Sequence, residues 1–154
     1  MSLAETIAAD LTTALKAGER ERVSVLRMLR AALQEAEVEL RGRQGREARL
    51  DDAAALAVLG RYARQREDSI AAYRAGNRPE LAEREQRELD LVRAYLPAPL
   101  GPAELSEQVR AAILEAGART PADLGAVMKI LQPRLRGRAD GRTLSALVRE
   151  ALGG

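Results

Sequence analysis

The apolar part of this chain is drawn almost entirely from two residue types. Of 71 apolar residues 30 are Ala and 23 are Leu, against eight Val, four Ile, three Tyr and no Phe or Trp. Ala and Leu extend helices at little cost, whereas strands draw on the β-branched and aromatic side chains that fit a pleated surface. The expected fold class is therefore all-α, and an all-β or doubly wound α/β architecture is excluded. At 154 residues the chain suits one compact domain or two small ones packed in series.

The same composition removes much catalytic chemistry. With no Cys there is no thiolate nucleophile, no Cys-type zinc site and no iron–sulfur cluster, and with no His the commonest general base and metal ligand is missing. No phosphate loop of the GxxxxGK[ST] type occurs. The expectation is no catalytic residue, no metal and no cofactor. The N-terminus, Met1-Ser2-Leu3-Ala4-Glu5, lacks the cationic start and apolar run of a signal peptide. The longest uncharged stretch, Ala94 to Ala103, holds three prolines, where a membrane span needs about 20 apolar residues. A cytoplasmic protein without a membrane partner is expected.

Punctuation divides the chain. Leu96-Pro97-Ala98-Pro99-Leu100-Gly101-Pro102 cannot continue a helix, because each proline lacks the amide donor and biases its predecessor toward extended geometry. Residues 1–96 are expected to form a four-helix module and residues 97–154 a smaller three-helix module beyond this Pro-rich linker. In the first, Ser2 reads as an N-cap and Gly18 as a stop, with Leu3, Ile7, Leu11 and Leu15 as the buried stripe. A second helix is expected from Glu19 to Arg41, an exposed loop over Arg41 to Arg49, a third helix from Asp51 to Gly76, and a fourth capped by Asn77 and running to Tyr95. In the second module the expected helices span Pro102 to Ala116, Thr120 to Leu135, and a final segment capped by Asp140.

Among the charged residues, Arg66 interrupts the apolar seam of the third helix, and counting back from the turn near Asn77 sets Glu85 and Glu88 opposite it. An interhelical ion pair is expected there. The carboxylate pairs Asp51/Asp52, Glu67/Asp68 and Glu35/Glu39 lie among arginines at helical spacing and read as solvated faces rather than Mg²⁺ ligands. The strongest anomaly is a basic run in which Lys129, Arg134, Arg136, Arg138 and Arg142 are set against Asp140 alone, with Gly125, Gly137 and Gly141 interspersed. One reading is a phosphate-binding turn, since glycines let a backbone approach a phosphate and the following helix offers its first amides. The plainer one is a solvated turn with capping glycines. Tyr62, Tyr73 and Tyr95 sit at core spacing in the first module, so base stacking is not expected. Any RNA would be held by phosphates, 2′-hydroxyls and shape.

Taken in order, Glu21-Arg22-Val23-Ser24-Val25-Leu26-Arg27-Met28-Leu29, Arg64-Gln65-Arg66-Glu67-Asp68-Ser69-Ile70, Tyr95-Leu96-Pro97, Gly125-Ala126-Val127-Met128 and Pro133-Arg134-Leu135-Arg136-Gly137-Arg138-Ala139-Asp140-Gly141 resemble the YqeY family. These are also called GatB/YqeY domain proteins. The resemblance spans essentially the whole chain and implies four helices followed by three. Free-standing members look like the C-terminal tail of GatB, a subunit of the glutamine-dependent amidotransferase that amidates Glu-tRNA(Gln) or Asp-tRNA(Asn). That tail is associated with holding tRNA, the kinase and amidase chemistry lying in other domains. By this resemblance Gly125, Lys129, Arg136, Gly137, Arg138 and Asp140 are tied to tRNA contact. Ala126 stands where many relatives carry Lys, which trims the basic surface.

The leading expectation is a non-catalytic tRNA-binding accessory protein, with Arg134 and Arg142 joining the other cations on phosphates. A second is a substrate-binding partner or subunit in a carbon–nitrogen ligase reaction with glutamine as amido-N-donor, implying amidotransferase subunits or an aminoacyl-tRNA synthetase as partners. A third is a helical protein-interaction adaptor without RNA.

Overall fold

A computed structural model describes residues 1–135 and 138–153 of the chain. Among these residues there are seven α-helices, one 3-10 turn and no strand. The helices are α1 (Leu3–Ala17), α2 (Arg20–Gln44), α3 (Asp52–Ala75), α4 (Pro79–Arg93), α5 (Pro102–Ala116), α6 (Leu124–Leu135) and α7 (Gly141–Ala151). None is long and apolar enough to cross a membrane among the described residues. The chain forms two compact units, Met1–Leu96 and Pro97–Gly154.

The first unit is built from helix ends the sequence specifies. The Ser2 hydroxyl accepts from the Glu5 amide at 3.1 Å, and the Glu5 carboxylate accepts from the Ser2 amide at 2.8 Å. This capping box satisfies two amides that a helix start leaves without partners. Gly18 ends α1 in the left-handed region at φ 72°, which residues with a Cβ rarely adopt. Ile7, Leu11 and Ala14 of α1 pack with Val25, Leu26, Leu29 and Leu33 of α2, Leu59 and Ile70 of α3, and Leu89 and Val92 of α4.

Four expectations about this unit are corrected. Leu15 is not part of the buried stripe; it is half-exposed and Ala14 takes the inward place. The i+4 rule drifts by 40° per step on a 3.6-residue helix, so a stripe begun at Leu3 has left the core by Leu15. Helix α2 runs on to Gln44 through Gly42, an exposed glycine that a helix tolerates, and stops at Gly45 with φ 105°. The segment after it is tied down. Arg41 pairs with Glu37 and donates to the Ala48 carbonyl at 3.2 Å, while Glu37 also accepts from the Leu50 amide at 3.2 Å. Asn77 does not cap α4. It occupies the left-handed turn position at φ 56°, and Arg78 precedes Pro79 as the N-cap without a side-chain bond. Helix α4 ends at Arg93, two residues short of Tyr95, in a short turn in which the Tyr95 amide bonds the Val92 carbonyl at 3.0 Å.

Arg66 lies where the seam count places it. Its guanidinium meets Glu85 at 2.8 Å and Glu88 at 3.4 Å across the α3–α4 hairpin. It also stacks 4.6 Å from the Tyr62 ring centroid and donates to the Tyr62 hydroxyl at 2.6 Å. Burial works against its charge, but Glu85 and the Tyr62 oxygen outweigh it and hold its pKa above the usual guanidinium value. The acid pairs of the sequence have ordinary duties. Asp51 caps α3, Asp52 accepts from the Leu3 amide, and Glu67 pairs with Arg93.

The second unit has its own core of Val109, Ala112, Val127, Leu131, Leu135, Leu144, Val148 and Leu152. The segment expected as one helix from Thr120 is instead a 3-10 turn at Pro121–Asp123 followed by α6. Asp123 draws the turn tight by accepting from the Arg119 and Thr120 amides at 2.9 and 3.1 Å.

Candidate nucleic-acid interface

The candidate site grows from the connection between α6 and α7. Helix α6 buries Val127, Leu131 and Leu135, a repeat of four that turns Gly125 and Lys129 outward on another face. Gly125 has ordinary helical geometry, and a Cβ built on it would meet nothing within 4 Å. Packing alone therefore does not require glycine there. Lys129 is exposed, about 9 Å of helix rise before Leu135.

Arg136 and Gly137, which follow Leu135, lie outside the described residues. Arg138 is exposed, and its backbone is fixed at both ends. Its amide donates to the Leu135 carbonyl at 2.9 Å, and its carbonyl accepts from the Leu100 amide at 3.2 Å. Its Nε reaches the Ala98 carbonyl at 3.4 Å. The proline segment at 97–100 is thus strapped to the turn that presents Arg138. Asp140 is the N-cap of α7, and its carboxylate accepts from the Arg142 amide at 3.4 Å. That single bond engages one first-turn amide of α7, the one at Arg142. Arg142 is exposed in the first turn of the same helix.

The sequence-selected residues separate on their electrostatics. Arg134 is committed, because its guanidinium meets the two Glu115 carboxylate oxygens at 2.6 and 2.7 Å and so ties α6 to α5. Lys129, Arg138 and Arg142 have no carboxylate partner among the described residues. Arg138, Asp140 and Arg142 share the turn, whereas Lys129 stands on α6. The Arg134–Glu115 pair was not legible from local spacing, since 19 residues separate the partners. No cluster of acidic residues suited to a metal ion occurs among the described residues, and this unit contains no aromatic side chain.

Fold and turn together define an all-helical protein of two compact units, the second of which exposes cations beside an N-capped helix. Residues 4–152 match the family model described as Yqey-like protein. The chain belongs to the YqeY family. No curated protein matches it.

Proposed function

We propose that this protein binds tRNA as an accessory factor related to the tail of GatB-type amidotransferases, contributing grip rather than chemistry. The observation that carries this reading is the exposure of Lys129, Arg138 and Arg142 without carboxylate partners among the described residues, on a unit that has no aromatic side chain. Such a surface suits the phosphates of a folded RNA and offers nothing on which to stack single-stranded bases. Asp140 keeps α7 capped and Arg134 keeps α6 on α5, so both act by holding the turn. The family resemblance to the GatB tail supports the same reading.

The test is binding of total tRNA to the full chain across a salt series. Three phosphate contacts give a log–log slope of about −3, by the duplex value of −0.9 per contact. Changing Lys129 and Arg142 to Ala flattens the slope by about two and weakens all tRNAs alike, because phosphates carry no sequence information. If the wild type does not bind tRNA at low salt, the turn is a solvated surface and the adaptor reading replaces this one.

A further inference from the structure

The first unit carries a groove that this reading leaves unused. At the corner where α1 passes into α2, Leu15, Gly18, Arg20, Val23, Ser24, Arg27 and Met28 line an open depression of about 520 Å³. The large apolar side chains exposed among the described residues are Met1, Leu15, Met28, Val38 and Leu114, and two of them stand in this groove, Leu15 at 50% and Met28 at 40% exposure. Met28 is not a loose surface residue. Its sulfur accepts from the Tyr62 hydroxyl at 3.3 Å, and that hydroxyl is held by Arg66. An apolar anchor fixed in advance loses little freedom when something covers it.

The charge around the groove is one-sided. Arg20 and Arg27 are exposed, and neither meets a carboxylate among the described residues; Lys16 stands beside Leu15 in the last turn of α1. The acids nearest in sequence are engaged elsewhere, Glu19 with Arg22 at 3.3 Å and Glu21 with Arg87 at 3.0 Å. The walls are helices whose backbone groups are satisfied internally, and no strand edge exists among the described residues to pair with an extended peptide. An occupant must therefore offer side chains to the floor and negative charge to the rim.

We infer that this groove is a docking site for an acidic amphipathic helix of a protein partner. Its apolar face covers Leu15, Val23 and Met28, and its flanking carboxylates meet Arg20 and Arg27. RNA fits less well, since phosphates would sit over an apolar floor that contains no aromatic ring. All of its lining residues belong to the first unit.

The test uses the full chain, ¹⁵N-labelled, with a synthetic peptide of about four helical turns carrying leucines at i, i+3, i+4 and i+7 and glutamates on both flanks. Binding is expected to shift the amides of Leu15, Gly18, Val23, Ser24 and Met28. A peptide with the same leucines and lysines for glutamates is expected to bind at least about tenfold more weakly, because like charge across an interface is costly. Arg27→Glu should reverse that preference, and Leu15→Ser should weaken both peptides. Both positions are exposed, and an unchanged thermal melt would show the fold intact. The inference is overturned if the two peptides bind alike, if the shifts map elsewhere, if no shift appears at millimolar peptide, or if total tRNA or anionic vesicles displace the acidic peptide from these same amides.

Discussion

Arg66 in the first unit and the arginines of the α6–α7 turn in the second put one residue type to opposite uses. In Met1–Leu96, Arg66 is enclosed by the hairpin, its side chain 18% exposed with Glu85 and Glu88 at 15% and 12%. In Pro97–Gly154, Arg138 and Arg142 face solvent beside a helix cap. A charge removed from water needs a partner, and losing one partner leaves an uncompensated ion. An exposed charge needs none, and a surface pair adds only about 0–1 kcal/mol. Burial therefore sorts these arginines into those that hold the fold and those whose charge remains available to a ligand.

Cutting the chain tests the comparison most severely. Among the described residues the first unit buries sixteen apolar side chains and the second only eight. A 1–96 fragment should stay helical and melt cooperatively, while 97–154 alone should be marginal or unfolded. A disordered 1–96 fragment in circular dichroism would show that the units depend on one core. Next in size, Arg66→Ala should cost about 1–3 kcal/mol in urea unfolding of the full chain. Arg134→Ala should cost under about 1 kcal/mol, because its pair with Glu115 is half-exposed. Arg142→Ala should lie within about 0.5 kcal/mol of wild type. Equal losses for Arg66 and Arg142 would break the distinction.

Gly125→Ala sharpens it. A Cβ there meets nothing within 4 Å, so stability should rise by up to about 1 kcal/mol. Weakened tRNA binding in this stabler variant would show that RNA approaches the backbone closely. Unchanged binding would confine the contact to the cations.

A further effect is alkaline. Burial, then the 2.5 Å bond to Asp10, push the Tyr95 hydroxyl up to about 12 from the usual 10. A group with a raised folded-state pKa contributes stability that is fully present below its unfolded value and is lost as pH rises through the folded one. The window is therefore pH 10 to about 12. Tyr95→Phe should flatten the decline of the urea midpoint there, and an equal decline in both proteins would remove Tyr95 from the account.

Helical class, family and most helix ends were legible in the sequence, because they rest on local chemistry. Ser2, Asp51 and Asp140 cap because a short polar side chain reaches an amide two or three residues on. Gly18 and Gly117 stop helices because they take a left-handed turn without strain. Even the Arg66 pairing could be counted, since the short α3–α4 turn fixes the register of two helices. Packing decided the rest. The helical phase exposed Leu15, and Met28 found Tyr62 across 34 residues. Arg134 was likewise spent on Glu115 by the way α6 meets α5. Caps are contests between neighbours in the chain, whereas exposure and charge pairing depend on which helix faces arrive side by side, and distant segments set that together.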